Sequence, residues 1–314
     1  MQMNPPPPLP AKYLERLRLI LPVDRLESCL EAMGREPATT FRINPLKATA
    51  AQAVEALTFA GFHLTPLPWK DDAFSVPDHQ RRPLTECAPC REGWIYMQNP
   101  ASMVPPLVLA PQPGDWVLDL TAAPGSKTLQ LAAMLAGQGR LSAVEMVRDR
   151  FFRLKANLEA HGAPWVQLYL KDGTGVGRTC PEWFDRVLLD APCSGEGRIN
   201  ALYPETYAYW SEAKIREMSR KQKRLLSSAA RALKPGGVLV YSTCSLAPEE
   251  NELVVAQALE WGLEVEEIAA PCEALPGLTQ WQGKNLPPEL ARCLRIVPDG
   301  LMEGFFVCRL RKAG

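Results

Sequence analysis

The chain has 314 residues, 46% of them apolar, which suits one large domain or a main domain with a smaller attachment and excludes a disordered chain. Thirty-five Lys and Arg balance 35 Asp and Glu, so there is no global basic field and a polyanion must be held by a local patch. The start MQMNPPPPLP lacks a secretory signal, and no apolar run nears the roughly 18 residues of a membrane span. A cytoplasmic chain with no membrane partner is therefore expected, and its nine scattered Cys read as reduced thiols rather than a disulfide framework.

In chain order, Pro5 to Pro8 is a stiff extended lead-in. Tyr13, Leu17, Ile20, Leu26 and Leu30 predict a helical pair broken at Pro22. Thr40 to Lys47 (TFRINPLK) is an extended basic-aromatic piece, followed by a helix near Ala51 to Ala60. Its Arg42, Asn44 and Lys47 face either RNA phosphate or solvent, and residue type alone favours solvent. Cys87 and Cys90 form a CxxC pair without a second pair or a nearby His, so no metal is expected. Residues 1–93 are read as a small α+β domain, and residues 94–314 as the main domain.

The main domain is organised around Asp115 to Leu135. A short strand, Trp116 to Leu120, leads into a loop with Pro124 and Gly125 and then a helix carrying Leu129, Leu131, Ala132 and Leu135 at helical spacing, with Gly137 as its stop. Such a loop brings bare backbone at a helix N-terminus close to a ligand. Strands follow at Leu141 to Glu145, Val166 to Leu170, Arg186 to Asp190 and Val238 to Thr243, with helices at Val147 to His161, Ser211 to Leu233 and from Pro248, and a last strand at Phe305 to Leu310. This alternation predicts an α/β, Rossmann-like fold with a mostly parallel sheet covered on both faces.

In such a sheet, ligands gather beyond the carboxyl ends of the strands. Those ends carry Ala122 to Thr128, Glu145, Asp172, Asp190 with Cys193, and Cys244 within Ser242 to Ser245. Glu145 ends the second strand, where folds of this kind bind a ribose. A helix opening at Pro248 would lower the pKa of Cys244 through its dipole. Two thiols beside a nucleotide-like site suggest covalent catalysis.

DLTAAPGSKT, LLDAPCSGEG and YSTCSLAPEENE, with FRINPLK near the start and EGFFVCRL near the end, resemble the S-adenosylmethionine-dependent RNA 5-methylcytosine methyltransferases of the Nol1/Nop2/Sun family, in their bacterial 16S rRNA branch. The resemblance runs from about residue 40 to the end and implies a class I methyltransferase fold. It implies that Cys244 adds to carbon 6 of cytosine, that Cys193 assists the later β-elimination, that Asp190 holds the cytosine edge and borders the cofactor, and that Lys127 orients the site. S-adenosylmethionine would lie on Ala122, Ala123, Pro124, Gly125, Ser126, Lys127 and Thr128, with Glu145 on its ribose, Asp172 near its adenine and Arg150 in support.

The implied partner of this monomeric enzyme is ribosomal RNA, with transfer RNA second. A DNA cytosine-5 methyltransferase would use Cys193 as its nucleophile and would not need Cys244. A ribosome-assembly protein without turnover would not need either thiol. Ser126 stands where a glycine is frequent, a change that the first turn of a helix accepts. The chain also ends soon after the last strand, so RNA grip would fall to the N-terminal domain and to the basic helix carrying Lys214, Arg216, Arg220, Lys221, Lys223, Arg224, Arg231 and Lys234. Tyr203, Tyr207, Tyr209 and Trp210 could stack on a flipped base.

Overall fold

The computed structural model describes residues 8–314, so the proline lead-in lies outside the described residues except for Pro8. The helical pair forms as α1 (Ala11–Ile20) and α2 (Val23–Met33), with Pro22 directly before the second helix. Tyr13, Leu17, Cys29 and Met33 pack on Ile199, Tyr207, Leu246 and Trp281, so this pair leans on the main domain.

Next come β1 (Thr39–Ile43), α3 (Ala50–Phe59), β2 (Thr65–Leu67), β3 (Lys70–Val76), the short α4 (Arg81–Glu86) and α5 (Ala88–Arg91), and β4 (Ile95–Met97). The strands form an antiparallel sheet in the order β2-β3-β1-β4 over a core that includes Phe41, Leu57, Phe74, Leu84 and Ile95. The sheet thus continues past residue 93, because Ile95 to Met97 pair with β1. A capping box starts α3: Thr49 Oγ1 accepts from Gln52 N, and Gln52 Oε1 accepts from Thr49 N at 3.0 Å.

The main domain follows as α6 (Pro100–Leu109), β5 (Trp116–Asp119), α7 (Ser126–Leu135), β6 (Arg140–Glu145), α8 (Arg148–Ala160), β7 (Gln167–Leu170), α9 (Val176–Thr179), β8 (Phe184–Asp190), α10 (Glu212–Ala232), β9 (Leu233–Thr243) and α11 (Glu252–Leu259). It closes with β10 (Leu263–Glu266), β11 (Leu275–Pro276), the β12 (Gln280–Trp281) and β13 (Lys284–Asn285) hairpin, β14 (Leu294–Ile296) and β15 (Phe305–Lys312). The parallel strands run β9-β8-β5-β6-β7, and β15 pairs antiparallel with β9.

Side chains alternate between the sheet's two faces. Leu118, Val187, Leu189, Leu239 and Tyr241 meet Leu225, Leu226, Val254 and Val255 of α10 and α11. Val117, Leu188 and Val240 meet Val104, Leu129, Leu131 and Leu154 of α6, α7 and α8. Burial on both faces explains why these strands read as near-continuous apolar runs.

Three elements depart from expectation. The sequence reading passed over α6 because Pro105 and Pro106 lie inside it; Asn99 Oδ1 caps it at Ala101 N and nearly every residue is buried, so packing outweighs the lost backbone bonds. β9 begins at Leu233 and carries Pro235 to Gly237 within the strand. α11 opens at Glu252 rather than Pro248, since residues 248–251 form a turn. Because β8 returns to the other side of β5 after β7, the carboxyl ends of β5 and β8 diverge and open a crevice between them.

Candidate active site

That crevice is a cavity of about 1170 Å³ lined by Ala122, Ala123, Pro124, Ser126, Lys127, Glu145, Arg150, Asp172, Asp190, Cys193 and Cys244. The loop after β5 reaches it because Gly125 has φ +111°, and a Cβ there would press Leu154 at 3.0 Å. Gly125 and Thr128 do not line the cavity. Instead Thr128 is buried and its Oγ1 donates to Asp119 Oδ2 at 2.7 Å, tying the loop to the strand end.

On one side of the cavity, Glu145 ends β6 with Oε1 accepting from Val147 N at 2.8 Å and Oε2 at 3.5 Å from Arg150. Arg150 also donates to the Ala123 carbonyl at 2.6 Å, so it braces the loop. Asp172 is exposed, and its Oδ1 accepts from Thr174 N at 2.9 Å. Asp119, which the sequence reading did not single out, forms the floor. Burial pushes its carboxyl up to about 6, and its Oδ1 is buried without a partner among the described residues.

On the other side, Asp190 ends β8. Its Oδ1 accepts from Ser242 Oγ at 2.8 Å, and its Oδ2 lies 2.7 Å from Lys127 Nζ. Lys127, buried against the Phe305 ring, also donates to Ser102 Oγ at 2.7 Å. Cys193 Sγ and Cys244 Sγ are 3.1 Å apart. The hydrogen bond shared with Cys244 first, then burial and the nearby Glu250 and Asp190 carboxylates, hold the Cys193 thiol well above its usual range. Cys193 is therefore a thiol at neutral pH.

What holds the thiols together is Glu250, fully buried and not anticipated from sequence. Its Oε1 accepts from Ser194 N and Gln222 Nε2, both at 2.9 Å, and its Oε2 accepts from Ser245 Oγ at 2.6 Å and from Ser194 Oγ. One carboxylate thus fastens the residue after Cys193 to the residue after Cys244. The acids of the APEENE run gave the only sequence signal, and nothing in their spacing distinguishes this one.

The helix-dipole route to a reactive Cys244 is not present, because α11 starts too late and the intervening turn is buried. Arg198 brings a cation to the cavity. It lines the cavity with both cysteines, and the Glu303 carboxylate 3.6 Å away holds its guanidinium above the usual range against the opposing effect of burial. Its neighbour Gly197 donates to the Cys244 carbonyl at 2.9 Å and accepts from Gly304 N at 2.8 Å. A Cβ on Gly197 would stand 2.0 Å from the Gly304 carbonyl, which admits only glycine there.

Arg42 and Asn44 face neither RNA nor solvent: both are 1% exposed. Arg42 Nε donates to Gln98 Oε1 at 2.8 Å and Nη2 to the Ser126 carbonyl at 3.2 Å, while Asn44 Nδ2 donates to the Gly93 and His161 carbonyls. These side chains fasten the small sheet to the loop after β5 and to α8; Lys47 alone of the three is exposed. The cations of the basic helix also divide. Lys214 pairs with Glu217 at 3.2 Å, Lys234 beyond the helix with Asp185 at 2.7 Å, and Lys221 lines the cavity. Of the aromatics, Tyr203 lines the cavity, Tyr207 is buried, Tyr209 is exposed, and Trp210 packs edge-on to Tyr13 while donating to Glu196.

A mostly parallel sheet with a glycine loop after its first parallel strand and an acid ending the second defines a class I methyltransferase fold. A methyltransferase homolog from Pyrococcus horikoshii superposes with TM-score 0.82 at 34% identity, over 97% of this chain and all of that one. The chain belongs to the RsmB/F family of 16S rRNA methyltransferases: the model of that family matches residues 106–311, and the model of the RsmF N-terminal domain matches residues 9–100.

Ribosomal RNA small subunit methyltransferase F of Vibrio parahaemolyticus is 39% identical over 99% of this chain, which spans 64% of that protein's length. The tRNA (cytosine(49)-C(5))-methyltransferase of Pyrococcus abyssi is 38% identical over 87% of this chain and 88% of its own.

Proposed function

We propose that the chain transfers a methyl group from S-adenosylmethionine to carbon 5 of a cytosine in RNA, with 16S ribosomal RNA as substrate, through a covalent cysteine–cytosine adduct. One observation carries the reading: two thiols 3.1 Å apart share a cavity with a glycine loop and acids at the strand ends. Cytosine carbon 5 is a poor nucleophile. Addition of Cys244 Sγ to carbon 6 moves electron density onto carbon 5, and Asp190, held by Lys127 and Ser242, favours protonation of ring nitrogen 3 as the adduct forms. Arg198 stabilises the attacking thiolate. After transfer, water takes up the carbon 5 proton as the carbon 6–sulfur bond breaks, and Cys193, a thiol held beside Cys244, assists this β-elimination by giving its proton to the departing sulfur.

The residues present fit the cofactor. When bound it supplies an electrophilic methyl on a sulfonium. Ala122 to Thr128 would carry its backbone contacts, with Glu145 at the ribose, Arg150 bracing the loop, Asp172 at the adenine and Asp190 at the border with the base. The unpartnered Asp119 Oδ1 on the cavity floor suits an ammonium donor.

We assign RNA contacts to the N-terminal domain, residues 1–93, through exposed groups such as Lys47 rather than Arg42. Transfer RNA is the second reading, favoured by the Pyrococcus abyssi relative and its coverage. A non-catalytic assembly factor is disfavoured by the paired thiols.

Denaturing electrophoresis of the chain with RNA and cofactor is the test. Cys193→Ala should give a denaturation-resistant protein–RNA band and Cys244→Ala should not; a band from Cys244→Ala reverses the roles, and a band from neither removes the covalent route. Bisulfite sequencing of ribosomal and transfer RNA from a strain lacking the gene separates the two substrates.

A further inference from the structure

On the flank of α10 away from the thiols is a second cleft of about 480 Å³, bounded by α9, α10 and α11. Arg178, Lys223, Arg224 and Arg231 converge on it, with Trp261, 40% exposed, in its wall. No Asp or Glu lines it, and none of these four cations makes a side-chain hydrogen bond or ion pair among the described residues. Their behaviour contrasts with Lys214 and Lys234 near the ends of α10, which each find an acid. Four like charges gathered without a counter-charge repel one another, and an anion entering the cleft relieves that repulsion.

Two chain segments connect the cleft with the large cavity. Asp172 and Gly173 line the cavity while the next residue, Thr174, lines the cleft; on α10, Lys221 faces the cavity and Lys223 the cleft. Arg guanidinium groups match phosphate oxygens in bidentate geometry, and an exposed indole offers a face on which an unpaired base stacks. We infer that this cleft binds the sugar–phosphate backbone of single-stranded RNA flanking the target nucleotide, with one base stacked on Trp261. The inference rests on the proposed RNA activity and adds a second gripping surface to that of the N-terminal domain.

The test measures binding of a short fluorescein-labelled single-stranded RNA to the full chain across a salt series. Arg178→Glu with Arg224→Glu should weaken binding by about tenfold or more and flatten the log Kd against log salt slope by about 1.4, the loss of two phosphate contacts at about 0.7 each. Trp261→Ala should weaken the single strand by at least about fivefold and leave duplex RNA unaffected. The matched reversal of Arg153 and Lys155 on α8 should change binding much less. Unchanged melting temperature and unchanged cofactor affinity establish that the cleft variants fold.

Retained affinity and slope in the cleft variant overturn the inference, as does an equal loss in the α8 control, which would mark a net-charge effect. Failure of the activity reading is distinguishable: the cleft variant combined with Cys193→Ala should still form the covalent band at saturating RNA, and Cys193→Ala with the cleft intact forming no band removes the activity, not the cleft.

Discussion

The two walls of the large cavity are built differently. On the thiol wall the polar groups next to the sulfurs are tied to other parts of the chain: Asp190 to Lys127 and Ser242, Ser194 and Ser245 to Glu250, Glu250 to Gln222. On the opposite wall Asp172 is exposed and bonded only to its own turn, and Arg150 is half-exposed. Bond making at a base requires reacting atoms fixed to within a fraction of an ångström, whereas holding a ligand by several separate contacts tolerates a looser frame. Substitutions on the thiol wall should therefore change turnover, and those on the other wall should change affinity.

The largest expected effect is from Cys244→Ala, which should lower methyl transfer by roughly 10³-fold or more at unchanged cofactor affinity, read by single-turnover transfer and calorimetry. Near-normal transfer would remove the thiol wall's claim to chemistry.

The second concerns Glu196, buried beside the thiol turn with Oε1 accepting from Trp210 Nε1 at 2.8 Å and Oε2 without a partner among the described residues. Burial raises its carboxyl to about 7 from an ordinary 4.5. A carboxyl raised on folding contributes stability that is full below about 4.5, declines as pH rises through 7, and is gone above it. Wild type should lose up to about 3 kcal/mol between pH 5 and pH 8 from this group, and Glu196→Gln should lose correspondingly less, as urea midpoints will show.

Third, Glu250→Gln keeps the size of the clamp but replaces an acceptor by a donor opposite Ser194 and Ser245. It should lower kcat by about 10²-fold, as expected for a displacement of about 1 Å, with KM for RNA and cofactor affinity nearly unchanged. A change confined to KM would show that Glu250 serves binding. The smallest effect is from Asp172→Ala, which should raise the cofactor Kd by about tenfold, the worth of one charged hydrogen bond, while kcat at saturating cofactor stays near wild type. A kcat loss there would erase the contrast between the walls.

Much of this molecule was legible one residue at a time. Short apolar runs marked the parallel strands, helical spacing marked α1, α2 and α7, and Gly125 marked the loop, because each signal lies within a few residues of its cause. The strand ends, and so the set comprising Asp190, Cys193, Glu145 and Cys244, followed from that periodicity. A helix dense in proline such as α6 did not follow, since its stability comes from burial.

Sequence by itself determined the alternation of the main parallel strands with α7, α8 and α10, the two-faced sheet and the rim on which its chemistry-bearing residues stand. Tertiary structure alone decided which charged side chains became cement and which stayed open: Arg42 is spent on Gln98 and the Ser126 carbonyl, Glu250 on two serines from separate turns, while Arg178 and Arg224 have no partner among the described residues. The physical reason is range. A backbone conformation is dictated by neighbours along the chain, but the fate of a long polar side chain depends on whichever donor or acceptor the fold brings beside it, for Arg42 one 84 residues away.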